Sequence, residues 1–460
     1  MTLVESLGSW LANLEPTDIP RPVIEKMRTH LLDTIGAIVI GDGRGPVLVA
    51  EQAFDAAGSV PVLVSGRPRD IRDAARVNAV AAHASEIDDT EGCDHTGAVV
   101  VPTLLALLSE PGALAGGDDL LCAMTAGYEL GRRLQNSLGG YDAHNGSGWH
   151  STGTCGTFAA AAAAARALHL NESQCAAALS LSADSSGGTW AFAADGSMAK
   201  QLHVAEAAGS GLQAALLARA GASGPTKIFE PVWGGFFTTH GNDRCHREAL
   251  TEDLGVRWWA NHSAIKIYAS CRSTHASIDG IVEGLEQGLI HAGEVEHIRI
   301  EIAPFLAPMI CPPNPASVEA ARMSLPIALA FLLLGRPLDP DTFEDYHDPE
   351  VTQIAEQIEI ITSDAMSSEE VKVTVTGANG DYVIDRTEAR GNEETPFGWD
   401  DVLTKFVRLV SPRIGAEATQ LIVDWVQELG PGVIPEFPDL QPENGRDDLM
   451  AALREAWDEA

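Results

Sequence analysis

The chain has 460 residues, 45% of them apolar and 6% aromatic, enough for one large core or two unequal ones. It carries 30 Lys+Arg against 65 Asp+Glu, a formal net charge of −35. So acidic a chain argues against nucleic acid, whose phosphates demand neutralising charge, and against anionic membrane surfaces.

The start, Met1-Thr2-Leu3-Val4-Glu5, lacks the basic and apolar regions of a signal peptide. The longest apolar runs, Phe158 to Ala165 and Ile327 to Leu334, fall far short of the ~20 residues that cross a bilayer. The 7 cysteines include no C-x-x-C pair, so neither a disulfide framework nor a zinc ribbon is expected. A cytoplasmic protein in a reducing compartment is the expectation.

The first half reads as helix. Val23, Met27, Leu31, Ile35 and Ile38 recur at helical spacing over Ile19 to Ile38, behind Pro20 and Pro22. Leu121, Met124, Tyr128 and Leu134 repeat the pattern over Asp118 to Leu138. Thr157 to Leu170 contains seven consecutive alanines, suited to a helix in close contact with others, and Leu202 to Ala220 is a second small-residue helix closed by Gly221. No stretch of this half alternates like a strand.

Beyond about residue 260 the period changes. Ile298, Ile300 and Ile302 alternate with Arg299 and Glu301, as Val371, Val373 and Val375 alternate ahead of a Gly377-to-Gly380 turn and Tyr382-Val383-Ile384. One helix is expected between them, Ser317 to Leu334. The tail returns to helix over Trp399 to Val410, Ala416 to Leu429 and Asp447 to Trp457. The expected fold is mainly α: an all-helical domain of residues 1–262 plus 398–460, with an inserted, smaller α+β lid domain of 263–397. A cleft between two such domains is the default ligand site.

No G-x-S-x-G elbow, H-E-x-x-H pair or Walker loop occurs, and the glycines of 131–156 do not follow a strand. Three constellations carry the chemistry instead. His83-Ala84-Ser85-Glu86-Ile87-Asp88-Asp89-Thr90 with Asp94-His95 packs ionisable groups so densely that like charges raise one another's pKa, which suits acid–base work. A solvated loop is the plainer reading. As a metal site, His83, Glu86, Asp89 and His95 match no established ligand spacing, so no metal is expected.

Gly148-Trp149-His150-Ser151-Thr152-Gly153-Thr154-Cys155-Gly156 runs into the alanine helix, offering backbone N–H groups beside a titratable histidine. Only six lysines occur in the chain, and in so acidic a protein an anionic substrate needs collected positive charge. Lys200, near His203, and Lys266, just before Tyr268-Ala269-Ser270-Cys271-Arg272, are the natural suppliers. Cys271 beside Arg272 reads as a nucleophile or, more simply, as packing.

These segments together resemble the MmgE/PrpD family. The resemblance rests on Glu86 to Thr90 with His95 to Pro102, and on Gly148-Trp149-His150 through the alanine helix. It continues through Met198 to His203, Trp233 to Phe236, Lys266 to Cys271, and Arg322-Met323-Ser324 before Leu332 to Gly335. The resemblance implies a helical domain with an α+β lid, a homodimer, no metal or organic cofactor, and a small di- or tricarboxylate as partner. The family's activities include 2-methylcitrate dehydration, cis-aconitate decarboxylation and iminodisuccinate epimerisation.

Residue by residue, the resemblance places the acidic/threonine motif on Glu86, Asp89 and Thr90, two histidines on His95 and His150, and two lysines on Lys200 and Lys266. Glu86 stands where many members have Asp, and Cys271 where animal cis-aconitate decarboxylases have histidine. The shared chemistry removes a proton beside a carboxylate and stabilises the resulting charge electrostatically. His150 is the expected principal acid/base with His95 its counterpart. Lys200, Lys266 and Arg272 are expected to hold carboxylates, with Glu86, Thr90, Cys271 and His203 around them. Dehydration of a 2-methylcitrate-like substrate is the leading expectation, epimerisation or decarboxylation the runner-up, and a non-catalytic carboxylate-binding protein the reading of another class.

Overall fold

A computed structural model describes residues 1–440 apart from 311, 312, 379, 433 and 439, so the expected helix of 447–457 lies outside the described residues. The structure is mainly α with a smaller α+β region, as the periodicity indicates.

The alanine run forms the helix Gly156–Ala167, every residue of which is buried. It packs between the helices Ala199–Arg219 and Gly117–Ser137. Such proximity demands small residues on both sides: a Cβ on Gly211 would come within 2.5 Å of Ala160 Cβ and of Thr157 O. Helix Arg21–Gly41 covers the predicted stretch and packs against both Ile71–His83 and the C-terminal Trp399–Glu428. The latter is broken at Gly415, whose φ 83°, ψ 162° is not helical, three residues after Pro412, so it is the two helices expected there.

The expectation of no strand in the first half needs one correction. β1 (Val60–Pro61) and β2 (Pro68–Arg69) pair antiparallel, two residues each, too short to leave an alternating pattern. The main sheet holds β3 (Val295–Ile302), β4 (Ile358–Thr362), β5 (Val371–Gly377) and β6 (Gly380–Arg386) in the order β4-β3-β5-β6. β3 runs parallel to β4 and antiparallel to β5, so Ile300 faces both Ile360 and Val373. Helix Arg272–Glu286 covers β5 and β6, with Gly280 so close that a Cβ would sit 2.6 Å from Ile384 Cγ2.

The single helix expected over 317–334 is two, Val318–Met323 and Leu325–Leu333. Ser324 is extended at φ −81°, ψ 113° and its hydroxyl accepts the Ile327 N–H, while Pro326 can only start a helix. Among the described residues no helix is long and apolar enough to cross a membrane.

Candidate active site

Two backbone contacts assemble the site. Thr90 N–H donates to Ala264 O at 2.8 Å and Ala264 N–H returns to Thr90 O at 2.7 Å, which joins the acidic motif to the Lys266 segment. His150 N–H donates to Gly188 O at 3.0 Å, which sets the second motif against the loop ahead of Lys200. A buried lysine absent from the sequence expectations stitches these pieces together. Lys405 Nζ donates to Asp33 Oδ1 at 2.6 Å, Lys266 O at 2.7 Å and Ile87 O at 2.8 Å.

The acidic motif is a strained loop. Glu86, Glu91 and Asp94 all adopt left-handed backbone, at φ 52°, 62° and 78°. Non-glycine residues there cost about 1–3 kcal/mol each and persist where the surroundings over-determine them. The strain turns Glu86 inward, where it is buried between the two lysines. Its Oε2 is 3.1 Å from Lys266 Nζ, and its Oε1 accepts from Lys200 Nζ. Burial pushes Lys200 down to about 7, Lys266 adding to that, and burial lowers Lys266 as well. The carboxylate between them is what retains positive charge this deep in the protein.

Next to this trio, Asp88 Oδ2 accepts from Nδ1 of both His83 and His95, each at 3.0 Å. Burial favours the neutral carboxyl, yet the facing His83, His95 and Lys266 hold Asp88 well below the usual carboxylate range. Burial drives His83 and His150 well below the ordinary imidazole value. For His95 burial is outweighed by Asp88 and Asp94, so its pKa is raised. Among these rings His95 is therefore the one whose charged form is favoured.

A cleft of about 590 Å³ opens onto these groups, within the range of small-molecule sites. Its walls come from both the helical part of the chain and the α+β part. Thr90, His95, Lys200, Cys271 and Arg272 line it. Glu86 and His150 do not line it but contact the wall residues Lys200 and Asp94, while Lys266 lies one step further back, against Glu86 and 3.8 Å from Asp88. A second cleft of about 630 Å³, around Lys26, Arg28 and Trp399, contains none of the expected site residues.

Three expected residues take other places. Asp89 does not line the cleft and its oxygens are committed: Oδ1 accepts from Gly97 N–H at 2.8 Å, Oδ2 from His30 Nδ1 at 2.8 Å and from the Tyr128 hydroxyl. That is a buried hub holding the loop on the helices, away from the cleft wall. His203 is off the wall too, behind His150, with the two Nδ1 atoms 2.9 Å apart. Arg272 is on the wall, but Nε is spent on Glu91 Oε1 at 2.7 Å and its terminal nitrogens on the carbonyls of Ala389 and Arg390. It works as a strut between the two regions.

Conversely, the sequence reading passed over Asp88 and Asp94, although both lie inside the motif it singled out. It gave no signal at all for Arg132, Tyr141 and Arg244, which line the cleft from the segment 132–142 and a distant loop. Two donor sets are close enough to consider for a metal: His83, Asp88 and His95, and Asp94, His95 and His150. In the first, His83 and His95 each hydrogen-bond Asp88 Oδ2 at 3.0 Å, so the three groups already serve one another as donors and acceptor.

A mainly helical protein whose cleft presents Lys200 and His95, the ring whose charged form is favoured, backed by further buried histidines and carboxylates, is equipped for proton transfer on a small anion. The matches with known proteins agree on the lineage. The MmgE/PrpD N-terminal domain model matches residues 5–248 and the MmgE/PrpD C-terminal domain model residues 268–429. The chain belongs to the MmgE/PrpD family.

Its relatives include a cis-aconitate decarboxylase-like protein of Aspergillus oryzae, 31% identical over 293 residues that span 60% of each chain. A cis-aconitate decarboxylase of Aspergillus terreus is 28% identical over 375 residues, 76% of each chain. The Homo sapiens cis-aconitate decarboxylase is 27% identical over 453 residues, 93% of this chain and 92% of that one.

Proposed function

We propose that the chain is a lyase for a small di- or tricarboxylate, exchanging a carboxylate for a proton without an organic cofactor. The observation that carries this reading is the Glu86 carboxylate set between Lys200 and Lys266 beside His95, whose charged form is favoured, on the cleft wall. Lys200, on the wall, is the ammonium that meets a carboxylate the rest of so acidic a chain would repel, with Lys266 behind it through Glu86. When the carbon–carbon bond to one carboxylate breaks, its electron pair stays on the carbon as carbon dioxide leaves. Lys200 then stabilises the charge delocalised into a neighbouring carboxylate, and His95 delivers its proton to carbon. The position on the wall makes His95, rather than His150, the group that meets the substrate.

Decarboxylation of a cis-aconitate-like acid leads because relatives named for that reaction align over most of the chain. Dehydration of a 2-methylcitrate-like acid is the second reading, since an imidazolium beside two lysines also serves a departing hydroxide. In either reading residues 263–397 act as a lid on 1–262 plus 398–460, and the working unit is a homodimer, which sedimentation velocity tests. For the chemistry itself, purified protein is incubated with each acid and carbon dioxide, vinyl protons and water loss are followed. Release of carbon dioxide by wild type but not by His95→Gln supports the proposal. Binding of every acid without turnover favours a carboxylate-binding protein instead.

A further inference from the structure

Beyond the groups that meet the substrate, His150 and His203 form an unusual pair. Both are imidazoles, their Nδ1 atoms are 2.9 Å apart, and so they share one proton between them. His150 is fully buried, whereas His203 is only half-buried and opens toward solvent. On its other side, His150 Nε2 lies 3.5 Å from Asp94 Oδ2, and neither atom has a hydrogen-bond partner among the described residues. Asp94 Oδ1 in turn lies 3.6 Å from His95 Nε2, on the cleft wall.

We propose that His203, His150 and Asp94 form a proton conduit that recharges His95 from solvent, a role that rests on the proton-transfer reading of the site. The geometry supplies alternating donors and acceptors from a half-exposed ring to the reacting wall. The two longer links need a shift of about half an ångström to become hydrogen bonds, and such contacts commonly tighten only when substrate is bound.

The surroundings fit a conduit better than a simple brace. Trp190 and Phe192 stand edge-on to His150 at centroid distances of 5.2 and 5.5 Å, an aromatic sleeve in place of water. Gly188, at φ 129°, accepts the His150 N–H and leaves room for His203, whose Cγ would lie 3.2 Å from any Cβ there. Burial lowers both rings, His203 to about 4, so at neutral pH they pass a proton without either storing charge.

The balance is simple. Decarboxylation places one proton on carbon per turnover, taken from His95 Nε2. Asp94 accepts one from His150 Nε2 on Oδ2, its carboxyl group turns and delivers that proton to His95 Nε2; His150 Nδ1 accepts from His203 Nδ1, and His203 Nε2 accepts from hydronium or a protonated buffer, so no hydroxide is left behind.

The test pairs turnover with a spectroscopic readout. His203→Gln is expected to lower kcat roughly 100-fold in weakly buffering medium with KM within about twofold, and added imidazole to restore it in proportion to its concentration. Asp94→Asn serves as the second variant, with formate as the rescuing acid. Unchanged kcat, or a loss that no small buffer restores, overturns the conduit. Independently of any substrate, ¹⁵N-edited proton NMR should show a downfield imidazole proton coupled to two Nδ1 nitrogens, absent in His203→Gln. Its absence from wild type also overturns the conduit. Its presence with no carboxylate turned over refutes the lyase reading and supports the shared proton.

Discussion

Replacing Asp89 by Asn separates a structural hub from a catalytic acid. The carboxylate is fully buried and accepts three hydrogen bonds, from Gly97 N–H at 2.8 Å, His30 Nδ1 at 2.8 Å and the Tyr128 hydroxyl. Asparagine keeps an oxygen for Gly97 but turns an amide N–H₂ toward two groups that are themselves donors. Hydrogen bonds to a charged group contribute about 1.5–3 kcal/mol each.

Losing two of the three contacts therefore predicts a destabilisation of about 3–5 kcal/mol, read by urea denaturation followed by circular dichroism. The variant that remains folded should keep turnover within about tenfold, because the hub only positions the loop that carries Asp88 and Asp94. Wild-type stability combined with abolished turnover would refute this placement and restore Asp89 to the chemistry.

Lys405→Met should cost about 3–5 kcal/mol by thermal melting, because Asp33 is left buried without its cation, and adding Asp33→Asn should recover much of that loss. Gly97→Ala should lower the melting temperature and the yield of folded protein: its Cβ would sit 2.5 Å from Thr34 Oγ1, 2.7 Å from Asp89 Oδ1 and 2.8 Å from Tyr128 Oη. Lys200 is an ammonium below its lowered pKa of about 7 and neutral above it, so kcat/KM for an anionic substrate should fall as pH rises through that value. Lys200→Gln should remove most of the activity. Dialysis against a chelator should leave turnover unchanged, and a loss restored by a single divalent cation would reassign the histidine cluster as a metal centre.

Much of the helical body was legible because its signals are local. The alanine run and the three- and four-residue spacing of Val23 to Ile38 each dictate a buried helix without reference to the rest of the chain. β4 was not legible: Ile358 and Ile360 alternate over only five residues behind a short helix, and their partner Ile300 lies nearly sixty positions upstream. The break at Ser324 was hidden by the uniform apolarity of Leu325 to Leu334, though Ser324 and Pro326 together form a helix start.

At the site, residue types were readable and orientation was not. Glu86, Asp88 and Asp89 stand within four positions, yet the first turns to the lysines, the second to two histidines and the third to Tyr128. Those directions depend on the left-handed turn at Glu86 and the Thr90–Ala264 bridge, neither of which leaves a trace in composition. Arg272 looked like a carboxylate clamp for a similar reason, since Glu91 and the carbonyls of 389–390 approach it only in the fold.

The central claim is proton chemistry beside a carboxylate, with His95 as the donor on the wall. It is tested most directly by proton NMR of wild type and His95→Gln in D₂O with cis-aconitate, 2-methylcitrate, citrate and iminodisuccinate. The account predicts that wild type releases carbon dioxide from one of these acids and places deuterium on the product carbon, while His95→Gln, correctly folded, does neither. Equal turnover by the variant, or no exchange and no new product from any acid that wild type demonstrably binds, would contradict it.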